Sequence, residues 1–268
     1  MVRRLIDNNP RREQRRQAAL LDRLTVQFRG RLSRELEQAM REMVSHWEMT
    51  GNVVLPRGFY DRIEATYRQM ALASVTMFGS RVFEQGKAYG LKLEIKETKK
   101  TKESFAQLMT RLALRYIQQE MIRRRITEVT ETTREQIVRA VRKGYQDGLG
   151  QRGVASMILD VVPQLAAYRA DTIARTETHG AANYGSQEAA KATGVPMKKE
   201  WLSAADDRTR DTHREAGRQP AIGMDEKFQV GDSELLYPGD PAGSAEEVIN
   251  CRCSLGYVVD EEALEAML

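Results

Sequence analysis

Cysteine and aromatic side chains are scarce in this chain, and long apolar runs are missing altogether. Two cysteines in 268 residues exclude a disulfide scaffold of the kind small secreted domains depend on. No run of 18 or more apolar residues is present, so no segment reads as a membrane span. The N-terminal MVRRLIDNNPRREQRRQ is basic but has no apolar core, so it does not read as a secretory signal, and a reducing cytosol is the expected place of synthesis. No P-loop, dinucleotide fingerprint or internal repeat occurs, and no heptad pattern persists long enough for a coiled coil. With 6% aromatic, 41% hydrophobic and 30% charged residues, the chain has too much apolar content for wholesale disorder and leans towards helix.

What is present is unevenly charged. Residues 1–143 carry 30 Lys and Arg against 17 Asp and Glu; residues 144–200 carry 6 of each; residues 201–268 carry 6 against 15. A basic half and an acidic end suggest two domains with different partners. The basic part could meet nucleic acid, and Arg123, Arg124 and Arg125 are its candidate phosphate contacts. A solvated helical face with surplus arginine explains the same charges.

Periodicity makes the first part helical. Leu20, Leu24, Phe28, Leu32, Leu36 and Met40 form one stripe in a helix over 11–49. A second helix is predicted over 59–79, with Ile63, Tyr67, Met70 and Val75 in the core. A lysine-rich exposed loop comes next at 97–104, then one long helix over 105–143. GYQDGLGQRG (144–153) holds four glycines in ten residues and marks the expected boundary between a basic helical domain, 1–150, and a smaller domain, 151–268. Beyond it two helices are expected, VASMILDVVPQL and an alanine-rich one closed at Gly194. MKKEWLSA and CRCSLGYVV read as strands, and DDRTRDTHREAG as a short helix capped by Asp206 or Asp207. The fold class is therefore α+β.

The chemistry-bearing residues gather in this second part. Cys251 and Cys253 sit one residue apart, and on a strand such positions face the same side. With His213, Asp206 or Asp211 they could hold zinc, which takes four such ligands, though C-x-C is a tight spacing for it. Two buried structural thiols are the other reading. Arg175 and Glu177 would clamp the alanine-rich helix to the sheet through ion pairs, with Arg208 reaching Asp240 or Glu177. His179 reads as a structural residue, and Trp201 as core. Pro238, Gly239, Asp240 and Pro241 make a stiff turn, and Asn250 would bond its backbone. An enzymatic alternative uses Asp206, Arg208 and His213 for metal-assisted hydrolysis or group transfer. No nucleophile accompanies them.

Four pieces occur in order: IARTET (173–178), Trp201 followed by DDRTRDTH (206–213), YPGDPAGS (237–244) and INCRCSLGY (249–257). Together they resemble the Mu F-like family of tailed-phage minor head, or head morphogenesis, proteins over roughly residues 145–260. The resemblance implies a virion component inside the phage head near the portal. It also implies portal, capsid or scaffold proteins and non-specific double-stranded DNA as partners, with a part in DNA packaging or ejection. It does not imply an enzyme or a resident cofactor. The helical N-terminal part carries no assigned motif.

Overall fold

Asn9 and Pro10 start the first helix one step before the apolar stripe does. The Asn9 side-chain oxygen accepts from the backbone N–H groups of Arg11 and Arg12 at 3.1 and 3.2 Å, and Pro10 occupies the first helical position, where its missing N–H costs nothing. In the computed structural model, which describes residues 5, 9–88 and 104–266, helix α1 runs Pro10–Thr50. Leu24, Phe28, Leu32, Leu36 and Met40 are buried along it, and Leu21 rather than Leu20 is the buried leucine at its start. Helix α2 spans Phe59–Ala88, longer than its pattern suggests, with Ile63, Tyr67, Met70 and Val75 all in the core. The loop expected at 97–104 lies outside the described residues, Ser104 apart.

Ser104 opens α3 (Phe105–Gln118) with a capping box. Its hydroxyl accepts from Gln107 N–H and the Gln107 side chain accepts from Ser104 N–H, at 3.3 and 2.8 Å. The single long helix expected from 105 to 143 is in fact two, because Gln119 takes an extended conformation (ψ 134°) before α4, Glu120–Gln146. No glycine or proline marks that break, and the apolar spacing runs through it. The converse holds downstream. Where two helices are expected around Pro163, one helix, α5, runs Gln151–Thr193 with the proline inside it. A proline in a helix interior costs roughly 3 kcal/mol, which the packing of so long a helix offsets.

A three-stranded antiparallel sheet comes after it, in the order β2 (Ile222–Gly223), β1 (Met197–Leu202), β5 (Ser254–Val259). Strands β1 and β5 pair along their full length, from Met197 opposite Val259 to Leu202 opposite Ser254. Helix α6 (Asp211–Ala216), the hairpin β3 (Phe228–Val230) and β4 (Ser233–Leu235), and the short helices α7 (Ala245–Val248) and α8 (Glu261–Glu265) complete the mixed region. The fold is α+β, with long helices first and small antiparallel sheets after them. No helix among the described residues is long and apolar enough to cross a membrane.

Contacts group the chain into two units, each drawing on both sides of residue 150. One comprises 25–69 and 118–174. Within it Arg62 pairs with Glu35 at 2.9 Å, Arg169 donates to Thr132 Oγ1 at 2.8 Å, and Trp47 meets Tyr145 edge-on. The other comprises residues up to 24, 70–117 and 175–268. Within it Glu13, 2% exposed, pairs with Arg81; Gln17 donates to Leu255 O at 3.0 Å; and Leu5 N–H donates to Tyr257 O at 3.0 Å.

Independent folding of 1–150 and 151–268 is a separate question, and limited proteolysis answers it. The first cuts are expected at the exposed corner 147–150, which joins α4 to α5 within one unit. The nicked halves are then expected to co-elute under native conditions. Release of a folded 151–268 fragment would establish the contiguous division instead.

Candidate functional site

Helix α5 carries an unusual run for a helix interior, His179-Gly180-Ala181-Ala182-Asn183, and every residue of it is buried. Gly180 is there because the helix backbone meets the backbone of the turn at Gly239. A Cβ on Gly180 would lie 2.9 Å from Gly239 O and 2.7 Å from the Tyr116 hydroxyl. Gly239 in turn has φ +82°, and a Cβ on it would lie 3.0 Å from Gly180 Cα. The Asn183 amide, one turn on, donates to Pro238 O at 3.0 Å and Cys253 O at 3.2 Å, and its oxygen accepts from Leu255 N–H at 3.2 Å.

The same helix ties down the rest of the motif loops. Arg175 donates to Asn250 Oδ1 at 3.3 Å, and Asn250 N–H donates to Thr176 Oγ1 at 3.1 Å. Asn250 itself adopts φ +58°, a conformation asparagine tolerates better than most residues. Tyr257 donates to Ser186 Oγ at 2.9 Å. Lys199 on β1 is fully buried and donates to Gln187 Oε1 and Leu236 O at 3.2 and 2.8 Å, and burial pushes its ammonium pKa down to about 8. Amide, hydroxyl and lysine groups thus tie helix α5 to β1, β5 and the motif loops. Glu177 is buried in α5. Asp240 accepts from Leu236 and Ala242 N–H at 2.8 and 3.0 Å and closes its own turn, so the anticipated partner for Arg208 is already engaged. Arg208 is exposed.

His213, Cys251 and Cys253 converge. All three are buried, and their ligating atoms lie within 4.8 Å of one another. The cysteines precede β5 rather than lie on it, so strand alternation is not what aligns them; the loop after α7 brings both sulfurs to His213 Nδ1, at 3.7 and 3.4 Å. On the far side of the ring Nε2 sits 2.9 Å from Glu247 Oε2, which also accepts from the Thr212 hydroxyl. Trp201 packs edge-on against the imidazole, centroids 5.5 Å apart. The Cys253 thiol is held well below its usual pKa by a hydrogen bond from Cys251, aided by His213; Cys251 is pushed well above its own by the same shared bond and by burial. Two cysteine side chains thus meet one side of an imidazole that is backed by Glu247 on the other. Zinc ligands at ~2.0 and ~2.3 Å in a tetrahedron stand ~3.6 Å apart, and a carboxylate behind the histidine is a common orienting device. The two His213–sulfur distances match that spacing, but the trio supplies three of the four donors a structural zinc takes. Asp206 and Asp211, considered as the fourth from sequence, are engaged elsewhere.

Asp206 does not cap α6, whose N-cap is Arg210. Its carboxylate instead accepts from Arg208 N–H, the Thr209 hydroxyl and both terminal nitrogens of Arg252, and the Arg252 guanidinium holds it well below the usual carboxylate range. This pair stands on the wall of a cavity of ≈ 550 Å³ that Arg208 and Asn250 also line. His213 is not in that wall, so Asp206, Arg208 and His213 do not converge as an enzymatic triad would require. Arg123 and Arg124 are exposed and Arg125 half-buried on α4, with Arg124 paired to Glu128 at 2.9 Å.

Residues 135–256 match the family model described as Phage Mu protein F like protein. Over that stretch the chain is similar to the Mu F-like proteins. Minor head protein GP7 of Bacillus phage SPP1 is 34% identical over 128 residues, 47% of this chain and 41% of that protein. The uncharacterized protein YqbB of Bacillus subtilis is 29% identical over 146 residues, 53% of this chain and 47% of that protein. An NAD(+)--arginine ADP-ribosyltransferase, EFV, of Enterococcus faecalis is 37% identical over 91 residues, 33% of this chain and 18% of that protein. The chain thus spans less than half the length of each of these relatives. No solved structure matches it. The Mu F-like stretch contains Asn183, Lys199 and Glu247, which the motif reading passed over. Gly180 and Asn183 were visible as poor helix formers inside an alanine-rich helix; a buried lysine on an alternating strand and a glutamate in AEEV carry no such signal.

Two measurements test this region. Denatured, reduced protein is expected to show two free thiols and no stoichiometric zinc by elemental analysis, as a hydrogen-bonded trio requires; one zinc per chain, lost on Cys251→Ser, would establish a metal centre. Lys199 fixes a pH trend. Its folded pKa lies below its unfolded value near 10.4, so between pH 8 and 10.4 the unfolded chain holds the extra proton and stability rises with pH, by at most about 3 kcal/mol. Lys199→Met is expected to flatten that rise in thermal melts, and an unchanged slope would assign it to another group.

Proposed function

We propose that the chain is a minor head protein of a tailed phage, a virion component that acts in head morphogenesis. The observation that carries the reading is the Mu F-like stretch itself. Its ordered motifs are those the chain uses to join α5 to the turn at Gly239, the Asn250 loop and β5, and the SPP1 minor head protein shares 34% identity across 128 residues. Side chains so committed to holding loops together suit a protein that must present fixed surfaces to an assembly. The EFV likeness gives little weight to ADP-ribosyl transfer here, since it involves 18% of that protein.

The finer reading adds a place and partners. The protein is taken into the head interior near the portal, docks on the portal and on capsid or scaffold proteins, and touches packaged duplex DNA during packaging or ejection. The charge distribution supports the DNA contact, with residues 1–143 strongly basic and 201–268 strongly acidic.

Binding of the full chain to unrelated duplexes is expected to be sequence-independent, its affinity falling with salt at a log–log slope near −0.9 per phosphate contacted. Replacing Arg123, Arg124 and Arg125 by Gln should flatten the slope. Co-sedimentation with a portal assembly is expected to survive moderate salt, because apolar burial is not screened. No DNA binding at low salt removes the nucleic-acid contact, and no portal binding removes the portal from the reading.

A further inference from the structure

The cavity beside Asp206 has a composition that the structural reading of the motif does not require. Five guanidinium groups line it, from Arg15, Arg175, Arg208, Arg210 and Arg252. Two carboxylates, Asp22 and Asp206, are also in the wall, which leaves a surplus of three positive charges. Asp206 is spent on Arg252 through two hydrogen bonds. Neutral carbonyl oxygens accept from Arg15 and Arg210, at Arg11 and Ile249, and fix those groups without cancelling their charge. Concentrating arginines on one concave wall is unfavourable by itself, since like charges repel and the wall excludes part of the solvent that would screen them.

A second feature points the same way. His179 also lines the cavity, is 2% exposed, and its Nδ1 has no hydrogen-bond partner. A buried ring nitrogen left unpaired costs free energy unless something outside the chain completes it.

We propose that this cavity is a binding site for a phosphate-bearing anion, held by the Arg15, Arg208, Arg175 and Arg210 guanidiniums with His179 donating from Nδ1. Guanidinium forks match phosphate oxygens in pairs, and several of them around one ligand suit a multiply charged anion better than a single carboxylate. The volume of ≈ 550 Å³ exceeds what one orthophosphate fills and lies within the ordinary range for small-molecule sites. A diphosphate-containing group is therefore the better fit. In the free protein His179 is kept neutral, its pKa pushed down to about 3 by burial and by the charges of Arg175 and Arg252. An anion in the cavity offsets those charges and brings that pKa up. The site is independent of the virion reading, and of any DNA contact at Arg123, Arg124 and Arg125.

Calorimetric titration of the full chain with pyrophosphate at low ionic strength is the test. One ion per chain is expected, with Arg208→Gln and Arg15→Gln each weakening binding about tenfold or more. Both side chains are exposed, so their loss should leave the melting temperature unchanged. Arg124→Gln on α4 serves as the control and should have no effect. The His179 ring signals in nitrogen-15 spectra should shift on titration, and the ring should protonate at higher pH in the complex. Displacement of pyrophosphate by a short duplex would identify nucleic acid as the source of the phosphate, and displacement by ATP but not by the duplex a free nucleotide. Failure of both to displace it, no saturable pyrophosphate binding, or equal effects of Arg208→Gln and Arg124→Gln would overturn the proposal.

Discussion

Backbone-to-backbone contact between Gly180 and Gly239 is the constraint on which the motif region depends. With a side chain at either position, helix α5 and the Pro238–Gly239 turn could not approach closely enough for Asn183 to reach Pro238 O, Cys253 O and Leu255 N–H together. Those bonds fix where β5 begins. Because β5 pairs along its length with β1, they also fix the sheet register, and with it the positions of Trp201 and Lys199. A one-residue slip would turn every side chain of β5 to the opposite face, and β5 is buried on both. One close approach therefore specifies both the start of a strand and the alignment of the sheet it joins.

The loop between α7 and β5 shows how this constraint reaches the polar chemistry. Its residues alternate between two surroundings. Asn250 and Arg252 turn to the cavity, bonding Arg175 and Asp206, while Cys251 and Cys253 turn inward to His213. The INCRC motif, turned at Asn250, thus presents polar side chains to the cavity and two thiols to the dry interior. The α6 helix serves both. Arg210 at its start faces the cavity and His213, one turn on, faces the sulfurs, where Glu247 and Trp201 hold the ring. This explains why sequence reading grouped Asp206, Arg208 and His213 as one site. They are neighbours in the chain, but Asp206 and Arg208 lie ahead of α6 on the cavity wall, while His213, on the helix, faces the sulfurs.

Much of the architecture was legible because its signals are local. The leucine stripe of α1, the end of α5 at Gly194 and the strand character of MKKEWL each rest on a few adjacent residues. What was not legible depended on distant packing. Nothing in Gln118-Gln119 marks the turn between α3 and α4, and nothing between VASMILDVVPQL and AAYRAD announces that one helix, α5, runs through both. Gln14 and Gln17 bond to Arg252 O and Leu255 O, pairings 238 residues apart that no local pattern announces.

The long-range pairings also bear on why the motif residues are polar at all. An apolar core would hold α5 to the sheet at least as well, since buried charged and hydrogen-bonded groups contribute little net stability against hydrophobic replacements of similar volume. Asn183, Lys199, His213 and Asp240 do something apolar contacts do not: each has a small number of acceptable partners, and each bonds at least one group on a loop. Loops with few apolar side chains cannot be fixed by burial, and directional bonds are the means left to fix them. The surface so fixed contains the arginine-lined cavity. Its guanidiniums point at a common space because Asn250, Ile249 O and Asp206 leave them little freedom to point elsewhere.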